Sequence, residues 1–169
     1  DETMWQRFTE RPRKAVFYAQ EEAGKWGANF VGPEHLLLGL IREDDNLAGR
    51  ILDQLGVKPE SVRKAVQARL RPSDGGMGKD MALTPAAKQV VDGVFNEAKR
   101  LGDNYIGTEH LLLGMLREEA GLASEVLAQL GVTPEGVCER LQQIRAESKL
   151  EADKSPEELL TLDEAVKFL

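Results

Sequence analysis

Asn29 to Glu43 reads NFVGPEHLLLGLIRE, and Asn104 to Glu118 reads NYIGTEHLLLGMLRE. A constant offset of 75 residues takes His35 onto His110 and holds outward in both directions without an insertion. It carries Thr9 onto Thr84, Glu22-Ala23 onto Glu97-Ala98, Gly27 onto Gly102, and Gln54-Leu55-Gly56-Val57 onto Gln129-Leu130-Gly131-Val132. Even Pro59-Glu60 lands on Pro134-Glu135. A match this long and in register is a duplication, and a fixed period of this size marks one structural unit used twice.

Each copy reads as four helices. The first opens at Thr9 or Thr84, whose hydroxyl can accept a first-turn N–H, and closes near Gly27 or Gly102. Pro85, directly after Thr84, suits the first helical position. Phe8, Ala15, Ala19 and Ala23 recur at three-to-four-residue spacing, as do Leu83, Val90, Val94 and Ala98 one repeat later, so each first helix presents one buried face. The second helix runs from Glu34 or Glu109 through Leu-Leu-Leu-Gly and is apolar enough to be buried nearly all round. Gly39 and Gly114 inside it cost about 1 kcal/mol each in helix propensity, which close approach of a neighbouring backbone would explain. A third helix spans Leu47 to Leu55 and Leu122 to Leu130, ended by Gly56 and Gly131, and a fourth starts at Pro59 or Pro134. The fold expected is all-α: two tandem four-helix repeats related by a pseudo-twofold, over residues 4–71 and 83–147. A breaker-rich linker at 72–82 joins them, and residues 148–169 form a second linker and the start of a further helix.

Composition narrows the function. Aromatic residues are only 5% of the chain against 41% hydrophobic, which favours aliphatic helix packing and makes the two Trp and five Phe conspicuous. A net charge of −7 argues against a dominant phosphate-backbone partner, since nucleic-acid affinity comes largely from clustered Lys and Arg. Acidic runs at Glu43-Asp44-Asp45 and Glu118-Glu119 could attract basic adaptors, and a solvated face explains them equally well. Cys138 is the single cysteine and cannot form an internal disulfide. No stretch approaches the roughly 20 apolar residues that cross a bilayer. A reducing, cytoplasmic setting without a membrane partner is therefore expected. Asp1, Glu2 and Thr3 precede Met4 and are given no structural weight.

RFTERPRKAVFYAQEEA, GPEHLLLGLIRE and GTEHLLLGMLRE together resemble the doubled Clp repeat at the N-terminus of ClpC- and ClpA-type AAA+ unfoldases, over about Met4 to Arg145. The resemblance implies a non-catalytic domain that captures unfolded or arginine-phosphorylated substrates and adaptor proteins and passes them to the ATPase ring of a parent chain. No cofactor is implied. The one phosphate-loop lookalike, Gly75-Gly76-Met77-Gly78-Lys79-Asp80, lacks the first glycine of that motif and has Asp80 where a Mg²⁺-binding hydroxyl belongs.

In ClpC relatives the glutamate of the Gly-Thr-Glu-His motif recognises phosphoarginine, and the motif maps onto Gly32, Pro33, Glu34 and His35 and onto Gly107, Thr108, Glu109 and His110. A carboxylate can pair with the guanidinium while helix N-terminal N–H groups receive the phosphate. The alternative is that a first-turn Glu complements the helix dipole, an effect of about 0.3–1 kcal/mol. Pro33 removes a hydroxyl and an N–H, so the second copy, with Thr108, is the stronger expected site, and Glu109→Ala should cost more than Glu34→Ala. The duplicated His35 and His110 invite a metal or nucleophile reading. Zinc needs three or four ligands, however, and Cys138 has Arg63 as its counterpart, so packing or hydrogen bonding is the expected role of both histidines. In the resembled family the region of Met4, Trp5 and Phe8, matched after the linker by Met77, Met81 and Leu83, borders a surface used by adaptors and unfolded segments. Exposed Met and aromatic side chains suit varied apolar partners. For Phe8 and Leu83 the alternative is closure of the core between the copies.

Beyond Ser148, Ser155-Pro156-Glu157-Glu158 is a helix start, and Thr161 with Glu164 has capping-box spacing. In ClpC-type chains a similar segment leads into the first ATPase module. The stretch LTLDEAVKFL is also similar to the opening helix of excisionase or MerR-like helix-turn-helix domains. That alternative would make the parent a regulator and nucleic acid a partner.

Overall fold

In this computed structural model the described residues are 5–43, 45–70, 82–117 and 121–152. They form eight helices of eight residues or more: α1 Glu10–Lys25, α2 Pro33–Arg42, α3 Leu47–Gln54, α4 Pro59–Gln67, α5 Pro85–Arg100, α6 Thr108–Arg117, α7 Leu122–Gln129 and α8 Pro134–Ala152. All eight begin within two residues of where caps and prolines place them. The eighth, α8, begins at Pro134 as expected but continues through Ser148 to Ala152, past the boundary set at 147. Glu147 to Ala152 contains no glycine or proline, so nothing local stops it. The linker as far as Met81, Met4 and the tail from 153 lie outside the described residues, as do Asp44, Glu118 and Glu119.

The third helices show how sequence sets the ends. Gly56 and Gly131 both sit at φ +81°, a left-handed backbone that glycine adopts without strain. The reversed chain then returns the Val57 N–H to the Leu52 carbonyl and the Val132 N–H to the Leu127 carbonyl, both at 2.9 Å.

The two opening caps differ. Thr84 accepts the Ala87 N–H at 3.1 Å, as its position predicts. Thr9 makes no such bond, a correction to the expected symmetry. The residue three positions into α1 is Pro12, which has no N–H to give, so the Thr9 hydroxyl donates instead to the Ile106 carbonyl at 3.1 Å.

That bond belongs to a pair of crossings that join the copies. The chain before α1 runs beside the loop before α6, with the Thr9 N–H on the Ile106 carbonyl and the Ile106 N–H on the Arg7 carbonyl. Its pseudo-symmetric mate runs beside the loop before α2, with the Val31 N–H on the Ala82 carbonyl and the Thr84 N–H on the Val31 carbonyl. Helix contacts repeat the relation: α1 on α6 mirrors α5 on α2, α2 on α7 mirrors α6 on α3, and α4 on α7 mirrors α8 on α3. The copies thus pack face to face around α2 and α6, which also touch each other.

Both central helices are buried along most of their length, Leu36 to Ile41 in one and Thr108 to Met115 in the other. The first helices bury the anticipated face, Ala15, Ala19 and Ala23 in α1 and Val90, Val94 and Ala98 in α5. A Cβ on Gly39 would overlap the Ala15 carbonyl oxygen and lie 2.7 Å from the Ala19 nitrogen, so α1 and α2 are in backbone contact there. Two buried glutamates at equivalent positions were not read from the sequence as a feature of the core. Glu22 accepts from Arg63 Nη2 at 2.8 Å, whereas Glu97 accepts from Arg117 Nε at 2.6 Å. The partner changes because Cys138 stands where Arg63 has its counterpart, and the guanidinium has to come from α6.

Candidate functional site

The second helix of each copy starts in the same way. Gly32 and Gly107 precede it, and their N–H groups donate to Nδ1 of His35 (3.0 Å) and His110 (2.8 Å). Both histidines are buried, so each serves as a side-chain cap for the residue three positions earlier, the hydrogen-bonding role expected of them. With Nδ1 accepting, Nε2 carries the proton. Burial holds the His35 imidazole below its ordinary pKa. The glutamates fold back over the glycines: a Cβ on Gly32 would collide with the Glu34 carboxylate, and one on Gly107 with the Glu109 carboxylate. Glycine at these positions is thus what lets the carboxylate lie across the helix end.

From here the copies diverge. Glu109 is enclosed, its side chain only 4% exposed, with the Tyr105 hydroxyl donating to it at 3.3 Å and Arg145 Nη2 at 3.7 Å. Arg145, on α8, also donates to Asp103 at 2.7 Å and to the Tyr105 oxygen at 3.2 Å. His110 Nε2 donates to the same Asp103 oxygen at 2.8 Å. Burial alone would raise the Asp103 carboxyl, but the hydrogen bonds from Arg145 and His110 bring it below its ordinary value.

In the first copy the counterparts of Asp103, Tyr105 and Arg145 are Ala28, Phe30 and Leu70. Among the described residues Glu34 accordingly has no cationic partner, keeps 21% of its side chain exposed, and folds onto its own backbone N–H. Burial pushes its carboxyl pKa upward. The Thr108 hydroxyl is also committed, accepting the Ala48 N–H at 3.0 Å in the first turn of α3. The geometry therefore ranks the two glutamates opposite to the sequence expectation: the carboxylate beside Pro33 is open, and the one beside Thr108 is occupied. The backbone N–H groups expected to receive a phosphate are also taken at α2. Pro33 has none, Glu34 uses its own, and those of His35 and Leu36 go to the Gly32 carbonyl.

A second feature lies at the junction of the copies. Trp5, Phe8, Val16 and Leu36 face Leu83, Val91 and Phe95 across a mainly apolar cleft of about 240 Å³. Trp5 is 42% exposed, stacked on Phe8 at 4.9 Å and held by the Arg13 guanidinium 5.6 Å from its ring. Phe8 is buried and meets Phe95 edge-on at 5.8 Å, so it forms a wall of the cleft, and Leu83 is half-buried opposite. Met4 and Met81 lie outside the described residues. Phe95 has Gln20 as its counterpart and was conspicuous in the sequence only as one of five phenylalanines, not as part of this surface. Arg11 pairs with Glu43 and Asp45, so that part of the acidic run is internally neutralised. Cys138 is half-buried against Arg117 Nη2 at 3.7 Å. Among the described residues no group of three or more potential metal ligands gathers, and no helix is long and apolar enough to cross a membrane.

A doubled helical body with capped, crossing repeats and a cleft between them defines a class of duplicated all-α domain. The chain belongs to the Clp repeat (R) N-terminal domain family, whose model matches residues 7–130 and 83–163. It is 43% identical over 143 residues to the chloroplastic chaperone protein ClpC2 of Oryza sativa subsp. japonica, covering 85% of this chain and 15% of that protein. It is 44% identical over 142 residues to a chloroplastic ClpA homolog, an ATP-dependent Clp protease ATP-binding subunit of Brassica napus, covering 84% and 16%. The chain thus spans about a sixth of the length of these curated relatives. The crystal structure of the N-terminal domain of the Clp-associated chaperone ClpD from Arabidopsis thaliana superimposes with a TM-score of 0.65 at 30% identity, covering 81% of this chain and 99% of that one. The N-domain of ClpV from Vibrio cholerae shares the fold, with a TM-score of 0.73 at 16% identity and coverage of 85% and 87%. The helix-turn-helix alternative finds no support in these likenesses, and its residues lie outside the described ones.

Proposed function

We propose that this chain is the non-catalytic substrate- and adaptor-recognition domain of a Clp-family AAA+ unfoldase. In this reading it docks unfolded segments and adaptor proteins and hands them to an ATPase ring in a reducing, cytoplasmic compartment. The apolar cleft between the copies carries the reading. It is rimmed by a half-exposed Trp5 and walled by Phe8 and Phe95, a surface suited to an apolar peptide segment. A ClpV N-domain of the same fold is known in complex with a VipB peptide, which supports peptide docking as something the fold can do. Arginine-phosphorylated proteins are the second ligand class, and Glu34 is the carboxylate placed to meet their guanidinium. The pairing of Glu109 with Arg145 is an internal example of that contact.

The test separates the two ligands. A permanently unfolded protein titrated against the chain should quench tryptophan fluorescence, and Trp5→Ala should weaken binding by about tenfold, the loss of one good aromatic anchor. A peptide with a single phosphoarginine should bind the parent chain and not Glu34→Ala. Unfolded protein binding unchanged in Trp5→Ala would remove the cleft from the mechanism.

A further inference from the structure

We infer that Arg145 is a built-in ligand of the second glutamate pocket, which leaves Glu34 as the open guanidinium-binding carboxylate of the two motif glutamates. The inference rests on the phosphoarginine reading above and adds the number of sites and the residue that sets it. Three observations carry it. The Arg145 guanidinium meets the three groups a bound arginine would meet there: Asp103 at 2.7 Å, the Tyr105 oxygen at 3.2 Å and Glu109 at 3.7 Å. The Glu109 side chain is 4% exposed against 21% for Glu34, so an external ligand reaches one and not the other. All three helpers are absent from the first copy, where Ala28, Phe30 and Leu70 occupy their positions. The asymmetry is therefore in the amino acids and not in a chance conformation.

Electrostatics favour the same division. A guanidinium beside two carboxylates is a charge-assisted arrangement already satisfied, and a ligand would have to displace a tethered group at high effective concentration. At Glu34 no cation among the described residues needs displacing, and an arriving guanidinium would supply the counter-charge that burial withholds.

The pseudo-symmetry supplies the experiment, because each set of side chains is already accommodated at the equivalent position. Isothermal titration with a peptide bearing one phosphoarginine should give one site on the parent chain and none on Glu34→Ala. Asp103→Ala, Tyr105→Phe and Arg145→Leu together give the second pocket the side chains of the first, and the count should rise to two. Ala28→Asp, Phe30→Tyr and Leu70→Arg together close the first pocket, and the count should fall to zero. Arg145→Gln, which keeps a donor for Asp103, is the single-residue check should the triple variant fail to fold; it should likewise bind two. Two sites on the parent chain would overturn the inference while leaving phosphoarginine recognition standing, as would an opened second pocket that still counts one. No binding by any of these proteins would remove the phosphoarginine reading itself, and the inference with it.

Discussion

Gly39→Ala and Gly114→Ala make the same change at equivalent positions, and the structure predicts different outcomes. In a helix interior the substitution gains about 1 kcal/mol of propensity. At Gly39 the new methyl would overlap the Ala15 carbonyl oxygen and sit 2.7 Å from the Ala19 nitrogen and 3.1 Å from its Cα. These are backbone atoms of α1, so relief requires moving a whole helix that is itself wedged against α6. Overpacking costs about 1–3 kcal/mol, and a rigid obstacle takes the upper end or beyond, leaving a net loss of about 2–3 kcal/mol. At Gly114 the nearest atom, at 2.7 Å, is a methyl of Val94, with backbone atoms at 3.1 and 3.2 Å. A valine off its rotamer costs about 0.5–1.5 kcal/mol, which the propensity gain nearly offsets. For a domain near this size 1 kcal/mol moves the melting temperature by about 2–4 °C, so Gly39→Ala should melt about 4–12 °C lower and Gly114→Ala within a few degrees of the parent. Thermal unfolding followed by circular dichroism at 222 nm measures both. A Gly39→Ala protein as stable as the parent, or a Gly114→Ala protein that suffers more, would refute the backbone-contact argument.

Thr108→Val removes the acceptor of the Ala48 N–H and strands a buried donor, so urea denaturation should show a loss of about 1–3 kcal/mol without loss of helical content in the native state. Arg63→Ala leaves the buried Glu22 carboxylate without its guanidinium and should cost about 3 kcal/mol by the same assay, while Arg63→Lys retains part of that. Glu34 has a folded pKa raised above its ordinary 4.5, so the folded state binds the proton more tightly, and this group's contribution to stability falls as pH rises from about that value through the raised folded one. Glu34→Gln should accordingly be more stable than the parent at pH 7, with the gap narrowing toward pH 4; a gap that widens on acidification would reverse the assignment.

The repeat made most of the fold legible, because the information lay in local sequence. Proline and glycine fix helix ends through φ and missing N–H groups, and the three-to-four spacing of Ala15, Ala19 and Ala23 names the face that must be covered. What escaped was decided by atoms distant in sequence. Thr9 looks like a cap until Pro12 is counted three positions on, and its hydroxyl then finds Ile106 across the copy boundary. Arg145 lies 36 residues beyond Glu109 in the chain, and only packing of α8 beside α6 brings it to the carboxylate. A usable signal did exist in the sequence. At 28/103, 30/105 and 70/145 the duplication breaks together, from Ala, Phe and Leu to Asp, Tyr and Arg, and a concerted change from apolar to polar residues in one copy marks a polar cluster there.

The pattern of those breaks explains why two nearly identical motifs end with different duties. Thr108 in the second copy caps α3 in the first, so its position is tied to the join between the halves. Pro33 has no hydroxyl to return the favour, and the pseudo-symmetric bond to Ala123 cannot form. His110 is likewise tied through Asp103 to α8, whereas His35 has Ala28 in place of that carboxylate. The Thr108 hydroxyl, the Glu109 carboxylate and the His110 ring are thus all engaged within the molecule. The Gly-Pro-Glu-His motif keeps the cap and leaves its glutamate without a cation among the described residues. A carboxylate that burial makes costly to ionise, with no internal counter-charge, gains more from an incoming guanidinium than one that already has its own. Structural commitment in one copy and an open charge in the other are therefore two results of the same four differences, at 28/103, 30/105, 33/108 and 70/145.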